Sequence, residues 1–244
     1  PHSPDNVKTV EEAAGVKVDQ VAIGSCTNSP YMDLAKCAML LKGKKVNENI
    51  SLVISPGSRQ ILKRLADEGL LSIFLEAGAR VLECGCGPCI GMGQSPCSGG
   101  VSLRTFNRNF LARSGTADAK VYLVSPETAA ASAIAGVFTD PTTLGKAPKI
   151  EMPEVFTVDD NLIELPASPE EAANVVVERG PNIKPIPKGK EPDENLECKL
   201  ILKVGDNITT DHIMPAGAKI LPLRSNIPAI SNHCFTVCDE EFPK

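Results

Sequence analysis

Val18-Asp19-Gln20-Val21-Ala22-Ile23-Gly24, running straight into Ser25-Cys26-Thr27-Asn28-Ser29-Pro30, is the stretch that decides the fold. Its first seven residues are mostly apolar, rich in Val and Ile, and closed by a glycine, which predicts a buried strand over 18–24. Ser29 and Pro30 then read as the cap and first residue of a helix. Leu34, Ala35, Ala38 and Leu41 keep helical spacing behind them. A buried strand feeding directly into a helix opens a parallel α/β unit.

The alternation continues outward from there. Residues 50–54 predict a second strand, ending in Ser55-Pro56-Gly57, and Ser58 caps a helix over 59–68, with Gly69 and Gly78 as later punctuation. Residues 80–83 predict a short third strand that runs into Cys84-Gly85-Cys86-Gly87-Pro88-Cys89. Residues 120–124 predict a further strand, after which Ser125-Pro126 opens an Ala-rich helix over 127–135, stopped by Gly136. The expected fold class is therefore α/β, a parallel sheet flanked by helices with right-handed crossovers. In such sheets function collects outside the carboxyl ends of strands. Both cysteine segments lie there, one after the first strand and one after the third, so the fold can bring Cys26 to the later group.

Composition supports this class. Of 244 residues 42% are hydrophobic, aromatics are only 4% and Trp is absent, so the core is expected to consist of Ala, Val, Ile and Leu. The net charge of −5 argues against nucleic-acid binding, which draws on Lys and Arg against phosphate. No apolar run is long enough for a membrane helix, so no membrane partner is expected. The start, Pro1-His2-Ser3-Pro4, has neither an initiator Met nor a signal pattern, and the chain reads as soluble and cut from something longer. Nine cysteines, an odd number in a chain of this size, point to metal or catalytic use in a reducing compartment rather than to disulfides.

The texture changes at Pro166. Six prolines, Pro166, Pro169, Pro181, Pro185, Pro187 and Pro192, fall in the next stretch. It is expected to be extended and semi-rigid, interrupted by a short helix over 170–178. A strand over 200–204 follows. The expected organisation is an α/β domain over 1–165, an interdomain linker over 166–193, and the truncated beginning of a second domain over 194–244.

Cys84, Cys86 and Cys89 form a thiol-dense loop whose glycines let backbone N–H groups approach sulfur. Cys-x-x-Cys spacing by itself fits a zinc site, a redox disulfide or an iron–sulfur cluster. A zinc site wants a second Cys/His pair, whereas Cys26 is solitary and no His stands near either segment. Downstream, Arg104, Arg108 and Arg113 occupy a segment without Asp or Glu. They fit either a carboxylate clamp or a solvated basic face. Other residues carry ordinary readings. Cys37 is expected in the core, and Cys97, Cys198, Cys234 and Cys238 fit no ligand pattern. Glu11-Glu12 and Asp159-Asp160 read as solvated, and His212 reads as a structural loop residue.

Four separated motifs then occur in the order found in one family. They are Gly24-Ser25-Cys26-Thr27-Asn28; Cys86-Gly87-Pro88-Cys89-Ile90-Gly91; Asn107-Arg108-Asn109-Phe110 with Arg113; and Gly205-Asp206-Asn207 followed by Thr210-Asp211-His212-Ile213. From about residue 18 to its end the sequence resembles an aconitase: the third, iron–sulfur domain, its linker, and the beginning of the swivelling fourth domain. The resemblance implies a [4Fe-4S] cluster held by Cys26, Cys86 and Cys89, with Cys84 outside the ligand set. It implies that Arg108 and Arg113 bind substrate carboxylates, and Arg224 as well by a looser alignment, with Asn107 a hydrogen-bonding neighbour.

The function so implied is that of an aconitate hydratase, a hydro-lyase of the tricarboxylic acid cycle interconverting citrate and isocitrate through cis-aconitate. Isopropylmalate isomerase and homoaconitase are the related alternatives. The continuation of this chain into the Asp-His-Ile segment favours aconitase over the isomerase, whose fourth domain is usually a separate subunit. An RNA-binding iron-regulatory relative and a zinc-stabilised structural domain are the alternatives of other classes. The expected partners are a small di- or tricarboxylate and the remaining aconitase domains around a monomer, in the cytoplasm or the mitochondrial matrix. The family's catalytic serine, in Gly-Ser-Ser-Arg, and its first two domains are absent from the sequence, so the chain by itself is expected to be inactive.

Overall fold

The computed structural model describes residues 1–156, 158–216 and 219–244. The chain divides into two compact units, Pro1–Leu162 and Ile163–Lys244. The first unit carries all five strands, β1 (Gln20–Gly24), β2 (Ser51–Ser55), β3 (Arg80–Val81), β4 (Val101–Arg104) and β5 (Lys120–Leu123). They form one sheet in the order β3-β2-β1-β4-β5, and every pairing is parallel. The helices of this unit are α1 (Val10–Ala13), α2 (Tyr31–Leu41), α3 (Arg59–Asp67), α4 (Leu70–Ala77) and α5 (Pro126–Ala135). The expected parallel sheet with flanking helices is what forms.

β1 is central and buried along its whole length, as a strand covered on both faces must be. Side chains alternate across it. Val21 and Ile23 join Leu52, Ile54 and Leu103 in the main core, where Leu34, Ala38 and Leu41 of α2, Leu65 of α3, Phe74 of α4 and Ala129 of α5 also pack. Each fully buried Leu or Phe there contributes about 1.5–3 kcal/mol of transfer free energy. Cys37 lies in this core, as expected, with its sulfur against the Pro126 carbonyl. The opposite face holds a smaller cluster of Ala22, Val53, Cys89 and Phe106, with Leu82 against it. A loop carrying a predicted ligand thus covers the face that the helices leave.

Local signals held in most places. Ser58 accepts from the Ile61 N–H at the start of α3. Ser125 caps α5 through the Thr128 N–H, and Gly136 ends that helix with a left-handed φ of 84°. At α2 the reading was wrong. Pro30 is the cap residue without a side-chain bond, and the Ser29 hydroxyl turns back to donate to the Ser25 carbonyl instead. Glu12 is more than an exposed acid, since its carboxylate accepts from the Thr9 N–H in a capping box at α1.

The second unit corrects two expectations. Residues 200–204 form no strand, and Leu200 and Ile201 are exposed. A strand needs a partner for its backbone N–H and C=O groups, and no strand is present in this unit among its described residues. The helix expected over 170–178 stops after Pro169–Ala172. Its capping box of Ser168 and Glu171 forms, but the run Val175-Val176-Val177 is β-branched and exposed, which disfavours continuation. Short helices Thr210–Ile213, Leu221–Leu223 and Ile227–Ile230 punctuate the remainder. His212 caps the first of them, its Nδ1 accepting from the Thr209 N–H at 3.1 Å, which fits a structural role.

α2 and α5 are stapled by Lys36 Nζ and Glu127 Oε1 at 2.8 Å, both about 29% exposed. Burial pushes the Glu127 carboxyl up, but the hydrogen bonds from Lys36 and the backbone outweigh it and hold the group below its ordinary range. The Glu127 hydrogen bond raises Lys36. A carboxyl lowered by folding stabilises at neutral pH, and that contribution is lost as the pH falls through its lowered value. Glu127→Gln is therefore expected to cost about 0.5–1 kcal/mol at pH 7, with the difference from wild type vanishing in acid. Urea denaturation at neutral and acidic pH checks this, and a pH-independent difference would contradict it.

Candidate metal centre

The sheet order places a switch point at the middle. β1 leads through α2 to β2 on one side, while its other neighbour, β4, arrives after the chain has crossed back from β3. In parallel sheets the crevice outside the carboxyl ends at such a point is where ligands gather. Here β1 ends in the Cys26 turn, and β4 ends in the segment bearing Arg108 and Arg113. The crossing connection supplies Cys84, Cys86 and Cys89.

Thr105, fully buried, ties the two strand ends together. Its N–H donates to the Ala22 carbonyl at 3.1 Å and its hydroxyl accepts from the Gly24 N–H at 2.8 Å. Its carbonyl accepts from the Asn28 side chain. The turn itself is tight. Gly24 has φ 116°, and a Cβ there would lie 2.0 Å from the Ser55 carbonyl oxygen, so only glycine lets β1 pass β2 at this point. Ser25 follows with φ 75° and Asn28 with φ 56°. Positive φ in a non-glycine residue is concentrated where surrounding structure imposes it, often at functional turns.

This turn delivers Cys26 to the other thiols. Ser25 Oγ donates to Cys86 Sγ at 3.9 Å, and Cys26 Sγ lies 3.6 Å from the Thr27 hydroxyl. The Thr27 hydroxyl, with Cys86 and Ser25 as further donors, holds the Cys26 thiol below its usual value. Partial burial of its sulfur pushes Cys86 up, and the neighbouring Cys89 charge adds to that, as does Cys26. Cys89 is buried, while Cys26 and Cys86 remain exposed. Arg113 Nη2 donates to Cys89 Sγ at 3.4 Å, and its guanidinium stacks on Phe110 at 5.2 Å. Hydroxyl and guanidinium groups thus stand beside the sulfurs of Cys86, Cys26 and Cys89.

Cys84, in the same loop, is partly buried. Burial raises its thiol and Arg59 acts in the opposite sense. The backbone beside it is fixed by Ser55 Oγ, which donates to the carbonyls of Glu83 and Gly85. Among the described residues no three His, Cys, Asp or Glu side chains surround a single ion position. Thiolates that each hold a different corner of a cubane have no need to converge on one point, and a three-thiol donor set suits an iron–sulfur cluster chemically.

Arg108 and Asn107 are exposed on the turn after β4, in the same loop as Arg113. Asn109 is structural, donating to the Val121 carbonyl at 2.7 Å. Arg224 belongs to the second unit, at the end of the short helix Leu221–Leu223. Arg104 departs most from expectation. It is 1% exposed and points into the face beneath the cysteine loop, so it is neither a surface clamp nor a solvated cation. A cavity of about 690 Å³ lies elsewhere, between the N-terminal segment and β5, and includes none of the three cysteines.

Against known proteins, the sequence model of the aconitase family (aconitate hydratase) matches residues 3–136. The chain belongs to the aconitase family. That match contains Cys26, Cys86, Cys89, Arg108 and Arg113 and ends well before Asp211 and Arg224. The chain is similar to 3-isopropylmalate dehydratase large subunit 2 of Archaeoglobus fulgidus, at 46% identity over 58% of this chain and 34% of the relative. The large subunit of Heliobacterium modesticaldum matches at 47% identity with the same coverage. A probable large subunit from Methanothermobacter thermautotrophicus matches at 47% over 59% of this chain and 35% of its own length. The chain spans about a third of the length of the curated relatives it matches. These names favour the isopropylmalate alternative over the citrate enzyme expected first. "Large subunit" also gives no support to a monomer.

Gly24→Ala tests the turn. Steric conflict with Ser55 and the positive φ are expected to cost about 3 kcal/mol or more in chemical denaturation. A loss below about 1 kcal/mol would show that β1 and β2 do not approach as described.

Proposed function

We propose that this chain is the cluster-bearing part of an aconitase-family hydro-lyase that interconverts hydroxy-acid isomers by dehydration and rehydration, with 3-isopropylmalate as its substrate. The observation that supports the reading is that the loops bearing Cys26, Cys86 and Cys89 leave the sheet at its switch point, where Ser25 donates to the Cys86 sulfur and Arg113 to the Cys89 sulfur. The substrate assignment rests on the relatives, which are named for that reaction.

On this reading Cys26, Cys86 and Cys89 hold a [4Fe-4S] cluster. With three protein thiolates, such a cluster offers Lewis acidity at its remaining iron. The chain's own residues do the rest of the local work. Ser25 and Thr27 donate to sulfur and moderate its negative charge. The forks of Arg108 and Arg113 orient substrate carboxylates, which planar guanidinium groups grip in two-point fashion. Arg113 also reaches the Cys89 sulfur, so it couples substrate position to the ligand loop. No Gly-Ser-Ser-Arg occurs in the sequence, and proton removal is assigned to a serine supplied by the rest of the parent enzyme. A small subunit is the proposed partner, in keeping with relatives named as large subunits.

One observation favours a second reading. Beyond the proline-rich stretch the same chain continues into Asp206-Asn207 and Thr210-Asp211-His212-Ile213. If these residues begin a fourth domain on the same polypeptide, citrate and isocitrate become the substrates, Arg224 becomes a carboxylate clamp, and no small subunit is required.

The parent enzyme, reconstituted anaerobically with iron and sulfide, is assayed with 3-isopropylmalate, citrate and isocitrate by the absorbance of the unsaturated acid. Turnover of 3-isopropylmalate at least tenfold above the others is expected. The opposite preference would install the citrate reading, and turnover of none would overturn both. Zinc without iron or sulfide in the purified protein would remove the cluster assignment itself.

A further inference from the structure

Arg104 is the largest fully buried side chain among the described residues. It closes β4 and, pairing with Ala22 of β1, lies on the sheet face that carries Cys89. Its donors are distributed over three partners. Nε donates to Ser102 Oγ at 3.0 Å, Nη1 to the Pro88 carbonyl at 2.6 Å, and Nη2 to Gln20 Oε1 at 3.0 Å. Its plane lies 5.4 Å from the Phe106 ring centroid. Gln20 is itself 3% exposed. It accepts also from Ser102 at 2.7 Å and donates to the Ser95 carbonyl at 2.8 Å. Pro88 and Ser95 both belong to the connection that carries the cysteines, so this network pins that connection to the sheet at two points.

What the site does not contain is equally informative. Every partner of the guanidinium is neutral, and among the described residues no carboxylate pairs with it. Burial pulls the guanidinium down to about 10, and a Cys89 thiolate acts in the opposite sense. Burying an arginine without a counter-ion costs several kcal/mol. A charge kept in such a place calls for a negative group nearby, and a cluster held through the Cys89 thiolate would supply one.

We infer that Arg104 is the buried counter-charge of the cluster site, a positioning residue that fixes the ligand loop through the Pro88 carbonyl and favours electron density on the Cys89 side of the cluster. This rests on the cluster reading given above. Its consequences follow from electrostatics. A fixed positive charge behind the cluster makes the reduced, more negative state easier to reach, so its removal lowers the reduction potential. Loss of the grip on Pro88 loosens the loop and speeds cluster loss.

The test uses the parent protein, reconstituted anaerobically, as wild type, Arg104→Met, Arg104→Lys and Gln20→Glu. The midpoint potential is read by redox titration with electron paramagnetic resonance, and the rate of iron release to a chelator is measured in parallel. Arg104→Met is expected to lower the potential and to release iron about tenfold faster. Arg104→Lys retains the charge but not the fork, so its potential stays near that of wild type while its iron release accelerates. Gln20→Glu leaves Arg104 in place and sets a carboxylate against it, and is expected to lower the potential as well. It decides the question if Arg104→Met fails to fold. Unchanged potentials in Gln20→Glu and Arg104→Met would overturn the inference, as would equal potentials for the Lys and Met variants. A wild type that binds no cluster would instead refute the functional reading beneath it.

Discussion

β1 lies between β2 and β4 and pairs in parallel with both, and the site's loops depend on that pairing. The register brings Gly24 opposite Ser55, where the two backbones approach too closely for any Cβ. On the other side Thr105 clasps the end of β1 through the Ala22 carbonyl and the Gly24 N–H. Between these two constraints the chain can leave β1 only through the tight turn that lifts Cys26 toward Cys86. The position of the first thiol is therefore a consequence of backbone packing rather than of any interaction the thiol makes.

Three arginines that look alike in the sequence do different things because of where β4 ends. Arg104 still belongs to the strand, and alternation sends it beneath the cysteine loop. Arg108 stands in the exposed turn that follows. Arg113, half-buried, reaches the Cys89 sulfur. A charge in the low-dielectric interior acts over a longer range than one in water, so the buried arginine bears on the electrostatics of the loop and the exposed one on what arrives from solution. Cys89 accepts from Arg113 and directly follows the Pro88 carbonyl that Arg104 holds.

Much of this was legible in the residues. The first, second, third and last strands and α2, α3 and α5 were marked by apolar runs, caps and glycines, because those signals are local, whereas α4 was read only as a stretch between Gly69 and Gly78. The placement of the Cys26 turn and the Cys84–Cys89 loop after β1 and β3 followed from strands of one parallel sheet ending at the same edge. β4 was not legible. Val101-Ser102-Leu103-Arg104 alternates apolar and polar as a half-solvated strand does, yet its polar face is buried, with Gln20, Ser102 and Arg104 satisfying one another under the loop. Such a network depends on residues more than eighty positions apart, and no window of sequence contains it. The strand expected over 200–204 failed for the complementary reason, since local propensity without a pairing partner does not make a sheet.

The central claim is that Cys26, Cys86 and Cys89, and not Cys84, hold an iron–sulfur cluster. The direct measurement is anaerobic reconstitution with iron and sulfide, followed by visible absorption and by iron and sulfide analysis. Wild type is compared with Cys26→Ser, Cys86→Ser, Cys89→Ser and Cys84→Ser. Loss of the brown chromophore in each of the first three and its retention in Cys84→Ser is the predicted result. A chromophore that survives removal of any of the three, or that disappears with Cys84, would contradict the account.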